Sequence, residues 1–140
     1  MRFWDTSALL PLILEQAATA NLRAIASQDD SMVVWWGSKV EAVSAVCRLV
    51  RAGQIEEPSA PQLLQEIEAL ANATYEVQPT EGVRAAACRM LRVHELRAAD
   101  ALQLAAALLW AEHRPAGMGL VALHQKLRLA AAREGFEVLP

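Results

Sequence analysis

One stretch of the sequence, residues 97–111, is apolar over almost its whole length. From Ala98 onward only Asp100 and Gln103 interrupt a run of strong helix formers, which predicts a buried helix. A carboxylate near the start of such a helix loses hydration, at a cost of several kcal/mol unless a cation or hydrogen-bond donors compensate. The helix dipole supplies only ~0.3–1 kcal/mol at an exposed site. We therefore expect a positive partner for Asp100, and the other acidic motifs indicate a metal ion.

Short β-branched and aromatic runs alternate with helical patterns along the chain. The predicted strands are 2–4, 32–36, 74–77, 120–123 and 136–139. The predicted helices are 39–52, 58–70, 80–94, 98–111 and 125–134. Residues 8–25 form either two helices or one kinked helix, with Pro11 in the first turn. This alternation predicts a single α/β domain, residues 1–140, with a three-layer α/β/α sandwich, a mainly parallel central sheet and ligands beyond the carboxyl ends of its strands.

The charge balance argues against broad electrostatic capture of nucleic acid. The chain has 13 basic and 16 acidic side chains, for a net charge of −3, so any RNA binding needs a local patch. The strongest candidates for contact with an RNA backbone are Arg97, Arg92 and Lys39. Four arginines lie between positions 84 and 97. A helix face exposed to solvent explains this basic segment as well as contact with RNA does.

Cysteine usage and hydropathy bear on the compartment. Cys47 and Cys88 lie in apolar, helix-like surroundings without the short spacing of a metal site, and we predict buried free thiols. No apolar run reaches the ~18–20 residues that a membrane span needs. We expect a cytoplasmic protein with no membrane partner.

Three acidic residues occupy equivalent places in the predicted fold. Asp5 follows the first strand, Glu41 lies in the first turn after the second strand between two apolar stripes, and Asp100 lies in the first turn of the buried helix. In a parallel sheet these places share one rim, and three carboxylates together suit Mg²⁺ or Mn²⁺. The alternative is three unrelated acids, namely a helix cap, a half-exposed helix residue and a partner of the helix dipole.

The segments around these acids carry a family resemblance. Residues 3–9 (FWDTSAL), 39–45 (KVEAVSA) and 96–105 (LRAADALQLA) together resemble the PIN-domain ribonucleases, and most closely the VapC-type toxins of toxin–antitoxin pairs. The resemblance covers essentially the whole chain. It implies a PIN-like fold and an endoribonuclease that hydrolyses RNA phosphodiester bonds with Mg²⁺ or Mn²⁺.

The resemblance also implies roles for individual residues and partners. Asp5, Glu41 and Asp100 match the acidic metal ligands of the family and are the predicted catalytic residues, with Thr6 or Ser7 supporting the site beside Asp5. Independently of the resemblance, the position of Gln103 one helical turn after Asp100 leads us to expect that it either hydrogen-bonds a water on the metal or satisfies a polar neighbour. An antitoxin that neutralises the toxin, and a second copy of the chain in a homodimer, are the implied protein partners.

The sequence departs from the family pattern at one position. His124 stands where the family usually has a fourth acid after the fourth strand. A neutral histidine can ligate Mn²⁺ but brings no negative charge and suits Mg²⁺ poorly. The departure leaves open one-metal catalysis, a preference for Mn²⁺, a contact between His124 and a substrate phosphate, and weakened activity.

Three other functions fit parts of the sequence. A catalytically weak or inactive PIN-like module, whose acidic pocket holds a metal or a partner, is favoured by the missing fourth acid. A haloacid-dehalogenase-type phosphotransferase also begins with an Asp at a strand end, but it needs a second Asp where Ser7 stands. A receiver domain needs an Asp on its third strand, and residues 74–77 offer none.

Overall fold

The computed structural model describes residues 1–140 as alternating strands and helices around one sheet. In chain order the elements are β1 (Arg2–Trp4), α1 (Thr6–Ile13), α2 (Thr19–Ala26), β2 (Met32–Trp35), α3 (Ser38–Arg51), a 3₁₀ turn (Glu57–Ser59), α4 (Ala60–Asn72), β3 (Tyr75–Val77), α5 (Glu81–Val93), α6 (Ala98–Trp110), β4 (Gly119–Val121), α7 (Gln125–Glu134) and β5 (Glu137–Leu139). This order confirms the predicted α/β class.

The sheet is entirely parallel. Its five strands have the order β3-β2-β1-β4-β5, and all four neighbouring pairs run in the same direction. The strands β2 and β3 therefore extend the sheet on one side of β1, and the later strands β4 and β5 extend it on the other side. The point where the direction of building reverses lies between β1 and β4, and in such sheets ligands bind beyond the carboxyl ends of the strands at this switch point.

Helices cover both faces of the sheet. Successive side chains of a strand point to opposite faces: Phe3 packs in the core against α5, α6 and α7, whereas Trp4 packs in the core against α1 and α2. A third cluster joins α3 to α4 through Ala42, Val46 and Ile67. The result is the predicted three-layer α/β/α sandwich.

The helix that carries Asp100 is buried as expected. Seven of its side chains are buried, with Gln103 among them. The segment 8–25 contains two helices, α1 and α2, so that alternative is resolved.

Several local predictions are wrong. Pro11 lies in the second turn of α1 because the helix already begins at Thr6. Cys47 is only half-buried and Cys88 is exposed, although both are free thiols as predicted. One of the two apolar stripes predicted on either side of Glu41 begins with Val40, and it is broken there, since the Val40 side chain is 65% exposed.

No helix of the structure has the length and apolar character needed to cross a membrane.

Candidate functional site

Asp5 lies at the junction of β1 and α1. Its backbone is extended, and its side chain caps α1 by accepting a 3.0 Å hydrogen bond from the Ser7 amide. Its own amide donates to the Val121 carbonyl at 2.9 Å, which fixes the residue at the carboxyl end of β4 as well as of β1. The residue is 4% exposed. Asp5 is therefore the cap that the alternative interpretation proposed, but it is a cap placed at the switch point.

Ser7 connects Asp5 to the neighbouring strand segment. Its hydroxyl donates a hydrogen bond to Asp5 Oδ2 and accepts one from the Leu123 amide at 2.9 Å. Because the donor to Ser7 follows β4, this serine holds the Asp5 carboxylate in a fixed relation to both central strands.

Glu41 reaches the same region from the first turn of α3. Gln103 Nε2 lies 3.3 Å from Glu41 Oε2, and it also donates to Thr6 Oγ1 at 2.8 Å and to Ser38 Oγ at 3.0 Å. Gln103 is 1% exposed. A single buried amide thus ties together α1, α3 and α6 directly beneath the acidic side chains.

Asp100 and His124 face each other across the rim. Asp100 is the third residue of α6, and its Oδ1 lies 2.9 Å from His124 Nδ1. His124 is the residue that precedes α7 and lies three positions after the last residue of β4. The histidine at the fourth-acid position therefore contacts one of the three predicted ligands.

The three predicted ligands line one cavity. This cavity has a volume of about 560 Å³. Its walls are Asp5, Thr6, Ser7, Leu10, Val40, Glu41, Ser44, Ala45, Arg48, Asp100 and His124. The convergence of three elements on one rim is what the sequence predicts, although whether the residues act as metal ligands stays a prediction.

Burial raises the pKa values of both Asp5 and Glu41. Loss of hydration raises the pKa of Asp5, hydrogen bonds from Ser7 oppose the shift, and the charge of Asp100 adds to it. Loss of hydration likewise raises the pKa of Glu41 against hydrogen bonds from Gln103 and Thr6, with the charges of Asp5 and Asp100 adding to the rise. No Lys, Arg or His forms a salt bridge with Asp5 or Glu41. Asp5 and Glu41 therefore have no cationic side chain within salt-bridge distance, whereas Asp100 has His124 beside it.

The donor chemistry fits a hard divalent cation. The acids offer only oxygen atoms, as Mg²⁺ and Mn²⁺ prefer, and the uncompensated charge favours a cation. In the structure, no three His, Cys, Asp or Glu side chains lie close enough together to coordinate one metal ion. Asp100 is directed to His124 instead, so cation binding requires the carboxylates to approach one another.

A second cavity shares a wall with the first. It has a volume of about 640 Å³, and Asp100 and His124 line both cavities. Its other walls are Glu95, Leu96, Arg97 and Lys126. Arg97, one of the three RNA-binding candidates from the sequence, thus lies beside the acidic site.

The other two RNA-binding candidates are not brought to the acids. Lys39 forms a salt bridge with Glu68 of α4 and lines a small, mainly apolar cavity elsewhere, so it points away from the carboxylates. Arg92 is exposed on α5 and lines neither of the two cavities. Their contact with RNA stays a prediction without support from the geometry.

Sequence reasoning missed two residues of this region. Ser38 receives a hydrogen bond from Gln103, and Arg48 lines the acidic cavity. The spacing of Arg48 carried a usable signal, because it follows Glu41 by two helical turns and so falls on the same face of α3.

The fold is similar to two solved structures. One is described as a toxin–antitoxin complex from Klebsiella pneumoniae, with a TM-score of 0.70, 13% identity, and coverage of 100% of this chain and 97% of that chain. The other is FitAcB from Neisseria gonorrhoeae, with a TM-score of 0.65, 15% identity, and the same coverage of 100% and 97%. The sequence matches no family model and no curated protein. At these identities the similarity establishes a shared fold.

Proposed function

We propose that this protein is a Mg²⁺- or Mn²⁺-dependent endoribonuclease whose catalytic residues are Asp5, Glu41 and Asp100. The observation that carries the proposal is the convergence of these carboxylates in one cavity at the switch point of the sheet, with no basic partner for Asp5 or Glu41. Repulsion and lost hydration in such a group lower the stability of the fold. A group of carboxylates at this position is explained if the site binds a ligand that neutralises their charge. The resemblance of the three acidic motifs to PIN-domain ribonucleases supports the same function.

The side chains of the site have two roles, binding the cation and orienting the carboxylates that bind it. A bound Mg²⁺ or Mn²⁺ supplies a water of lowered pKa and offsets the charge of the phosphodiester. Asp5, Glu41 and Asp100 hold the cation, while Ser7 and Gln103 fix the orientation of the first two carboxylates through hydrogen bonds. The chemistry requires no nucleophilic side chain.

His124 modifies the expected metal preference. Its Nδ1 faces Asp100, which leaves Nε2 to meet a substrate phosphate or a cation. Imidazole binds Mn²⁺ better than Mg²⁺. The protein should therefore cleave RNA faster in Mn²⁺ than in Mg²⁺.

Cleavage of a labelled single-stranded RNA tests the proposal. The purified protein is assayed in Mn²⁺, in Mg²⁺ and in EDTA, beside Asp100→Asn and the matched control Asp30→Asn, which removes an exposed carboxylate outside the site. The proposal predicts metal-dependent cleavage by the wild type and Asp30→Asn, loss of cleavage in Asp100→Asn, and products without a 2′,3′-cyclic phosphate, because water rather than the 2′-hydroxyl attacks. Equal cleavage by Asp100→Asn, or cleavage that persists in EDTA, contradicts it.

We also propose that the protein is the toxin of a toxin–antitoxin pair and acts as a homodimer. The resemblance to VapC-type toxins supports this role, as does a fold shared with a protein of a toxin–antitoxin complex. Expression of the chain should arrest growth of a bacterial host, and co-expression of the product of the adjacent gene should restore growth. Growth arrest that persists in Asp100→Asn contradicts a toxin that acts through this site.

One observation favours a second candidate function, a binding module without catalysis. The Asp100 carboxylate is engaged by His124, and no three potential ligands stand at the spacing of a bound ion. In a binding module the acidic cavity receives a basic partner or a structural cation. Binding of Mn²⁺ without cleavage of any RNA, in a correctly folded wild type, would favour this candidate over the nuclease.

A further inference from the structure

The two cavities at the rim adjoin at one pair of side chains, and we call them together the groove. Asp100 and His124 line both of them, so the acidic cavity and the second cavity meet at this pair of side chains. A ligand that lies against Asp100 can therefore extend to either side. A linear polymer fits such a groove better than a compact small molecule does.

Each half of the groove contains one arginine without an anionic partner. Arg48 lines only the acidic cavity and Arg97 lines only the second one. Six arginines of the chain make no side-chain hydrogen bond or salt bridge. They are Arg48, Arg51, Arg92, Arg97, Arg114 and Arg133. Of these six, only Arg48 and Arg97 line the groove, one on each side of the Asp100–His124 wall.

The other cations near the groove are already engaged. Lys126 pairs with Glu95 at the rim of the second cavity, and Lys39 pairs with Glu68 away from the groove. An exposed guanidinium carries its charge at all accessible pH values and binds phosphate oxygens through two parallel hydrogen bonds. The two arginines are thus the groups of the groove that are free to bind an anion.

We propose that Arg48 and Arg97 bind backbone phosphates on opposite sides of the phosphodiester that lies against Asp100. This inference rests on the proposed function and specifies its substrate: a single-stranded RNA that occupies both halves of the groove and is cut at an internal bond. The arginines also reduce the repulsion between the RNA backbone and the three carboxylates.

Salt dependence of RNA binding tests the proposal. The probe is a fluorescein-labelled 20-nucleotide single-stranded RNA in Mn²⁺, and its affinity is measured by anisotropy on an Asp100→Asn background that prevents cleavage. For single strands the slope of log affinity against log salt changes by about 0.7 for each phosphate contact. Arg48→Ala and Arg97→Ala should each weaken binding roughly five- to tenfold at low salt and flatten the slope by about 0.7. The double variant should flatten it by about twice that amount.

Matched controls separate a contact in the groove from general surface charge. Arg51→Ala removes an unpaired exposed arginine from the same helix turn as Arg48, yet Arg51 does not line the groove. It should change the affinity less than twofold, and Arg48→Lys should retain most of the slope. Equal effects of Arg48→Ala and Arg51→Ala overturn the proposal. So does unchanged RNA affinity in Arg48→Ala, which would assign the arginine to another partner such as an acidic protein segment.

Cleavage is read separately, so the two proposals fail in different ways. RNA binding with the predicted dependence on both arginines, but without metal-dependent cleavage by the wild type, refutes the nuclease and keeps the two-sided phosphate contact. Metal-dependent cleavage in which Arg48→Ala and Arg51→Ala have the same KM keeps the nuclease and refutes the contact. Absence of any saturable RNA binding overturns the contact as well.

Discussion

Replacing Gln103 with methionine should weaken the fold and the acidic site together. The Gln103 amide has two hydrogens and lies within hydrogen-bond distance of Thr6, Ser38 and Glu41, so it makes two good bonds at a time. A bond to a neutral oxygen contributes about 1 kcal/mol and one to a carboxylate about 1.5–3 kcal/mol. Methionine fills a similar volume. It also removes the buried Gln103 Oε1, which has no hydrogen-bond partner, and loss of this unsatisfied oxygen stabilises the fold by about 1 kcal/mol. The net loss is about 1–3 kcal/mol, with the lower end applying if the two bonds are those to the Thr6 and Ser38 hydroxyls.

Urea denaturation at neutral pH without metal measures this loss. For a chain of this length it corresponds to a fall in Tm of roughly 3–10 °C. Gln62→Met is the matched control, because Gln62 bonds only to Glu66 on an exposed helix face, and it should change the unfolding free energy by less than about 0.5 kcal/mol. Loss of the Gln103 hydrogen bond also raises the pKa of Glu41, so metal-dependent cleavage should move to higher pH. Equal stability of Gln103→Met and Gln62→Met would refute this reasoning.

Three further predictions follow from the same contacts. Because burial raises the pKa values of Asp5 and Glu41, the native state binds more protons than the unfolded chain, and the unfolding free energy should fall as pH rises from the ordinary carboxyl pKa through the raised values. Asp5→Asn, which keeps an acceptor for the cap, should reduce this fall in urea melts across that range; an unchanged pH dependence contradicts the assignment. Ser7→Ala removes bonds to Asp5 and to the Leu123 amide and should cost about 1–3 kcal/mol in the same melts, whereas a loss below about 0.5 kcal/mol would show that neither bond matters. His124→Asp should raise the ratio of cleavage in Mg²⁺ to cleavage in Mn²⁺, and a lower ratio would count against His124 at a metal position.

The positions of the acids were predictable because they depend on local signals. Asp5 follows a short aromatic strand, and Asp100 begins an apolar helix. In a parallel sheet such places share an edge whatever the exact strand order. Gln103 was predicted near the site for a related reason, since it follows Asp100 by one turn on the same helix face.

The direction of other side chains was not predictable, because it depends on elements that are distant in sequence. Lys39 lies in the first turn of α3, as Glu41 does, but its side chain pairs with Glu68 on α4 at another surface. Val40 belongs to an apolar stripe in the sequence and is nevertheless exposed beside the acidic cavity. Neither outcome follows from periodicity, since both depend on where α4 packs against α3.

The exposure of Cys88 has a similar origin. The periodicity of α5 places Val83, Ala87 and Met90 on the buried face, and Cys88 follows that face by one position, which turns it outward by about 100°. The apolar residues around Cys88 favoured burial, but its position on α5 places it on the exposed face of the helix.

Calorimetric titration of the protein with Mn²⁺ tests most directly whether Asp5, Glu41 and Asp100 act as one cation site. We expect saturable binding by the wild type at neutral pH and weaker binding at acidic pH, because burial raises the pKa values of Asp5 and Glu41 and favours their protonated forms. Both Asp5→Asn and Asp100→Asn should lose affinity at least about tenfold, the lower end of the loss seen when even an outer-shell partner of a metal ligand is removed, whereas Asp30→Asn should not. Absence of binding by the folded wild type, or equal affinity in all these variants, would contradict this expectation.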